Sequence, residues 1–160
     1  MDASGLAIRR AVFSDIEAIL RLFHHGAAEA APALPLTAVL PTGYADAFER
    51  IDREPNCALM VAEIDGQLVG TFQLAFLTYL MGAGRDDCQI ESMHVDPKRR
   101  GHGVGTAMMQ WAIDAAKKRG CRRIQLTTNK KRKDAHRFYE RLGFEMSHEG
   151  AKLWLDSRES

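Results

Sequence analysis

Residues 98 to 106, Lys-Arg-Arg-Gly-His-Gly-Val-Gly-Thr, set glycines at alternate positions directly after a basic triplet. Glycine lets a backbone turn tightly and approach a ligand with no Cβ in the way. From Val104 the apolar residues Val104, Ala107, Met108, Trp111 and Ala115 recur at the spacing of one helical face. The loop therefore leads into the first N–H groups of a helix, which lack intrahelical acceptors and lie at the positive end of its dipole. Gly101, His102, Gly103, Val104, Gly105 and Thr106 read as an anion cradle, suited to a phosphate or pyrophosphate. Arg99 and Arg100 can add charge-assisted hydrogen bonds from the side. A plain strand-to-helix turn with a solvated basic rim is the competing use, but glycines at a helix start cost stability unless something uses them.

Two phosphate loops fail on spacing. A P-loop carries Lys-Ser or Lys-Thr after its last glycine, whereas Gly105 is followed by Thr106 and Ala107. The dinucleotide fingerprint is G-x-G-x-x-G early in a βαβ unit; here the pattern is G-x-G-x-G and comes late. Arg100-Gly-His-Gly103-Val-Gly105 instead resembles the R-x-x-G-x-G/A motif of the GNAT superfamily of acetyl-CoA-dependent N-acyltransferases. Met93-His-Val-Asp-Pro97, Asn129 and Phe138-Tyr-Glu-Arg-Leu-Gly-Phe144 are similar to that family as well. The likeness covers about residues 6 to 155, with its specific motifs between 90 and 144.

The resemblance implies acetyl-CoA as cosubstrate, its pyrophosphate on residues 100 to 106. Its pantetheine arm would take backbone partners from Met93, His94 and Val95, extending the sheet by β-addition, and a side-chain partner from Asn129. Asn129 could equally be a simple turn residue. The implied reaction is direct attack of a neutral amine on the thioester, needing a base, an N–H donor for the oxyanion and an acid for the leaving thiolate. Tyr139 matches the family's acid, a phenol with an ordinary pKa of about 10; its competing role is a core aromatic beside Phe138. Glu91 matches an acidic position that some members use as base, directly or through water, and His94 is its rival. Strand alternation puts Glu91 and His94 on opposite faces unless a bulge intervenes; the family often has one here. The backbone N–H of His94 or Val95 is the expected oxyanion donor. His102 and His136 read as surface histidines near the phosphates. The basic turn Lys130 to Arg137 resembles small-molecule acetyltransferases, including the branch acting on aminoalkylphosphonates, though the same charges would suit the 3′-phosphate of coenzyme A.

At 160 residues, 46% apolar and 27% charged, the chain is expected to form a single domain, 1–160, with its own core. A net charge of +1 argues against general nucleic-acid binding, while basic clusters at 98 to 100, 117 to 123 and 130 to 133 suit a small polyanion. No apolar run approaches a membrane span and no secretion signal is evident. Cys57, Cys88 and Cys121 lack metal-ligand spacing and read as reduced core thiols, so no metal is expected and the cytoplasm is the expected location. The expected partner is a small-molecule amine, with a homodimer left open.

These residues need a frame. Leu6 to Arg10 reads as a strand, Ser14 to Glu17 as a capping box, and Ile16, Ile19, Leu20, Phe23 and Ala27 as a helical stripe ending near His24 and His25. Pro32, Pro35 and Pro41 break the next stretch, and Ala45 to Arg53 reads as a short helix. Leu34, Leu36, Leu40, Tyr44 and Phe48 with Asp46, Glu49 and Asp52 suggest a partly acidic wall over the acceptor. Ala58 to Ile64 and Gln67 to Tyr79 form a hairpin about Asp65-Gly66. Ile90 to Val95, Arg123 to Thr128, Phe144 to Ser147 and Ala151 to Leu155 read as strands. A helix to Arg119 is stopped by Gly120, and another is capped by Asp134. The order predicts an α+β fold with a mixed, mainly antiparallel sheet of about seven strands flanked by helices; the resemblance implies that the fourth and fifth strands splay to admit the cofactor arm. The function expected is N-acetyl transfer, with a coenzyme-A-binding sensor as the alternative; Tyr139 and Glu91 favour the enzyme.

Overall fold

A hairpin closed at Asp65 and Gly66, both with positive φ (51° and 74°), sits at the centre of the sheet; paired left-handed residues match the twist of the flanking strands. In the computed structural model, which describes residues 5–26 and 42–155, strands β2 (Cys57–Ile64) and β3 (Gln67–Thr78) flank this turn. β1 (Ala7–Arg10) pairs antiparallel with β2, and β4 (Asp86–Val95) antiparallel with β3. β5 (Arg123–Leu126) joins β4 in parallel, giving a five-stranded mixed sheet in the order β1-β2-β3-β4-β5.

Helices α1 (Ile16–Gly26) and α2 (Thr42–Arg53) cover one face through Ala11, Ile16, Ile19, Leu20, Phe48 and Val61. Helix α3 (Val104–Lys118) covers the other, with Trp111 edge-on to Phe72 at 5.8 Å. Gly70 makes the close approach possible: a Cβ there would stand 2.5 Å from the Met108 sulfur. At the start of β4, buried Asp87 accepts from Arg122 (3.1 and 3.0 Å) and Arg123 (2.8 Å). Arg119 donates to Asp86 and lies 4.1 Å over the Phe76 ring. These contacts tie the end of α3 and β5 to one end of β4, leaving the far end as the place where the strands can part.

The described residues form two compact units, one reaching Leu126 and one from Thr127 onward. The second contains α4 (Lys133–Arg141), with Tyr139 packed between Phe138 and Phe144.

Several expectations are corrected. The sheet has five strands rather than about seven: 144–147 and 151–155 form no ladder, and Leu153 and Leu155 are 87% and 91% exposed. Alternation gives a strand two faces but not a neighbour to bond to. Ser14 is not the cap before α1; the Asp15 carboxylate accepts the Val12 N–H (2.8 Å) in a 3-10 turn, Phe13–Asp15. Asp134 lies in the first turn of α4 instead of capping it. β4 begins at Asp86 and not Ile90, and β5 stops at Leu126. The buried stripe of α3 is Val104, Met108, Met109, Ala112 and Ala116. Ala27, Pro32, Leu34, Pro35, Leu36, Leu40 and Pro41 lie outside the described residues, as does the His25 side chain.

Candidate active site

The pairing of β3 with β4 slips by one residue at the site. Thr71 faces His94 and Gln73 faces Glu91, so Phe72 is opposed by both Ser92 and Met93. This is a β-bulge, and Ser92 takes a left-handed φ of 52° to make it. Residues opposite one another on antiparallel strands share a face. Thr71 and Gln73, two apart, therefore carry His94 and Glu91 to the same face, which a regular strand forbids. The Glu91 carboxylate accepts from Gln89 (2.8 Å), and the His94 ring lies 5.0 Å from that of Phe23 on α1.

That face looks toward a cleft of about 140 Å³ under α1 and α2, where Gln73 and Ser92 interrupt an apolar lining that includes Phe23, Phe48 and Leu59. The expected acidic wall is not there. Asp46, Glu49 and Asp52 are exposed; Glu49 pairs with Arg53 (2.9 Å) and Asp52 stands 3.9 Å from Arg10. The helical period turns Tyr44, Ala47, Phe48 and Ile51 to the cleft instead.

Beyond the bulge, β4 has one free edge. Its bonding to β5 runs from Asp87↔Arg123 to Ile90↔Leu126 and ends, while β4 continues to Val95. Asp96 N–H donates to Val69 O (2.9 Å). Successive N–H groups alternate in direction, so the His94 N–H points toward β3 and those of Met93 and Val95 toward the free edge.

The strand runs directly into the glycine loop. Asp96 accepts the Lys98 N–H (2.9 Å), Arg100 Nε donates to Val95 O (3.3 Å), and His102 Nδ1–H donates to Arg100 O (2.9 Å). Gly101 and Gly103 have φ of 77° and 81°. A Cβ built on either would meet nothing within 4 Å. Helix α3 starts with no side-chain cap and no acid in its first turn, so the N–H groups of Val104, Gly105 and Thr106 are left for something else. The loop and this helix start fit a pyrophosphate.

In the second unit, Asn129 Oδ1 accepts the Lys131 N–H (2.8 Å), the turn role that was its competing reading, and its Nδ2 has no partner among the described residues. His136 Nε2–H donates to Asn129 O (3.0 Å). The Thr128 hydroxyl is buried without a partner among the described residues. Tyr139 is 9% exposed, and burial raises its phenol above the ordinary value. Cys88, fully buried, has its thiol pushed up to about 12 by burial, so it stays protonated as a core filler. No group of metal ligands and no helix long and apolar enough to cross a membrane occur among the described residues.

The sequence named Glu91, His94 and the loop as candidates; Ser92, Gln73, Gln89 and the contact of Phe23 with His94 were not among them. Phe23 was visible in its helical stripe; a left-handed serine has no dependable sign in sequence.

The chain is 34% identical over 105 residues to the aminoalkylphosphonate N-acetyltransferase of Salmonella typhimurium, covering 66% of this chain and 68% of that one. Its fold is similar to that of a transcriptional regulator from Bacillus halodurans C-125, with a TM-score of 0.84 and 37% identity over 94% of this chain and 99% of that one. A Clostridium acetobutylicum acetyltransferase solved with acetyl-CoA shares the fold at a TM-score of 0.68 and 23% identity, covering 94% and 96%. Residues 22–144 match the model of the acetyltransferase (GNAT) family, and the chain belongs to that family.

Proposed function

We propose that this protein transfers the acetyl group of acetyl-CoA to a primary amine of a small molecule by direct attack. The observation that carries this reading is the free edge of β4 at 91–95, which ends on the uncapped, glycine-lined start of α3. An extended amide-bearing arm can bond to the N–H of Met93 or Val95 and the carbonyl of Met93, as an added strand would. Its diphosphate then meets the N–H groups of Val104 to Thr106, with Arg100 and Gly101 to Gly103 around it. The match of Asn129 to the family's motif supports it as a further side-chain partner for such an arm.

Acetyl-CoA supplies an acetyl group activated as a thioester. The bulge supplies the candidate bases, because Glu91 and His94 share the face that looks into the cleft. Either takes the proton from an ammonium group, directly or through a water, and frees the nitrogen lone pair for attack. The Val95 N–H, rather than that of His94, is turned to stabilise the oxyanion. The match of Tyr139 to the family's motif supports it as the donor of a proton to the departing sulfur, and its raised pKa keeps that proton in place. The relative from Salmonella typhimurium acts on aminoalkylphosphonates, which supports a small amine over a peptide.

Purified protein with acetyl-CoA should release free thiol in a panel of small amines. Turnover should rise with pH through one ionisation and level off as the attacking group loses its proton. If Glu91 is the base, Glu91→Gln lowers the plateau while His94→Phe acts on amine affinity; if His94 is the base, the two results exchange. The second reading is a coenzyme-A-binding regulator, favoured by the likeness to the Bacillus halodurans regulator. A folded protein that binds acetyl-CoA and acetylates nothing in the panel would establish that reading in place of the enzyme.

A further inference from the structure

The narrow cleft beside the bulge does not end at its apolar walls. It shares Ala47, Ile51 and Gln73 with a second, wider cavity of about 600 Å³, whose other lining residues are Arg50, Glu54 and Cys57. The two cavities adjoin at these residues, the first narrow and apolar near Ser92, the second wide and charged along α2.

Arg50 differs from the other arginines of this neighbourhood. Arg21 pairs with Glu17 (2.6 Å) and Arg53 with Glu49 (2.9 Å), while Arg10 donates to Cys57 O (3.2 Å) and stands 3.9 Å from Asp52. Arg50 makes no hydrogen bond or ion pair among the described residues. Glu54, one turn further along, does not take it; its carboxylate accepts the Asn56 N–H (3.0 Å). A guanidinium offers its donors in a planar fork that matches the oxygens of a carboxylate, phosphate or phosphonate.

We propose that the acceptor amine carries an anionic group at its far end and that Arg50 binds it. The proposal rests on the acetyl-transfer reading for the amine end of the site and adds what the other end recognises. The amine lies at the bulge by Glu91 and His94, a short hydrocarbon linker crosses between Phe23, Phe48 and Leu59, and an oxyanion meets Arg50. A polyamine would set a second cation against the guanidinium and is disfavoured.

The test is calorimetry, with and without coenzyme A, using 2-aminoethylphosphonate, 3-aminopropanoate and propylamine as probes. The two anionic amines should bind at least about 10-fold more tightly than propylamine, the size expected of a charge-assisted hydrogen bond or more. Their order tells whether phosphonate or carboxylate fits better. Arg50→Gln should weaken the anionic probes by about 10- to 100-fold and erase their advantage, and Arg50→Lys should recover part of it. Arg53→Gln, which removes a paired guanidinium from the exposed face, should bind all three as wild type does. Equal affinity for propylamine and the phosphonate, wild-type affinity in Arg50→Gln, or no binding of any probe would overturn the proposal. An anionic probe that binds through Arg50 but is never acetylated would overturn the acetyl-transfer reading alone; one acetylated equally well by Arg50→Gln would overturn the anchor alone.

Discussion

Tyr139 joins two properties that a proton donor to sulfur needs. It is held between the rings of Phe138 and Phe144, at centroid distances of 5.2 and 5.8 Å, and burial raises its pKa. Removing the hydroxyl while keeping the ring isolates the chemistry from the packing. Tyr139→Phe should reduce turnover by about 10- to 10⁴-fold, up to the usual span for a lost acid–base group, with coenzyme A affinity little changed. Since the phenol stays protonated past its ordinary pKa of about 10, the wild-type pH profile should show no falling limb below about pH 10. Unchanged turnover in the variant, measured where chemistry limits the rate, would remove Tyr139 from the mechanism. At this scale the sequence named candidates, because a motif carries residue types, but it left Glu91 and His94 as rivals whose shared face depended on a bulge. The bulge at Ser92 puts them on one face, with β4 bonded to β3 on both sides of it.

The element that matters most is the β4–loop–α3 unit, and its glycines were readable in advance because their requirement is local. Gly103 has φ of 81° at the residue before the helix, a conformation a β-branched residue resists. Its missing Cβ also leaves the approach to the α3 N-terminus open. Coenzyme A should raise the melting temperature of the wild-type protein by mass action, and Gly103→Val should abolish that rise. Circular dichroism distinguishes a blocked cradle from a lost fold, and a folded Gly103→Val protein that binds coenzyme A as tightly as wild type would refute the cradle. Elsewhere local rules misled. Ser14 and Asp134 both look like caps, yet Asp15 takes the first role because it also accepts from Arg9 (2.7 and 3.1 Å), a contact made only once β1 is placed.

For the unit as a whole, buried carboxylates set the response to acid. The Arg9 guanidinium holds Asp15 below the ordinary carboxylate range, and Arg122, then Arg123, does the same for Asp87. A carboxylate whose folded pKa lies below its unfolded value of about 3.9 adds stability above that pH and loses it as pH falls through the folded value. The urea midpoint should therefore be nearly flat above about pH 5 and fall steadily below about pH 4. Asp87→Asn leaves Arg122 and Arg123 without their carboxylate, so it should cost about 2 kcal/mol at pH 7 and shrink the acid-dependent loss. A variant whose midpoint runs parallel to wild type at every pH would show that Asp87 is not part of the acid response.

The amino-acid sequence alone determined what depends on near neighbours: the Asp65-Gly66 turn, the period of α3, the glycine stop at Gly120 and the chemistry of the loop. Each is a backbone or side-chain preference satisfied within a few residues, so the order of letters contains it. Tertiary structure decided which strands find partners, and so gave five rather than about seven. It also decided that β4 and β5 part after Ile90 and Leu126, that Glu91 and His94 share a face, and that the acids of α2 face away from the cleft while Arg50 faces its mouth. Those outcomes depend on contacts between residues far apart in the chain, such as Asp87 with Arg122 or Phe23 with His94, whose free energies arise only when the elements are packed together.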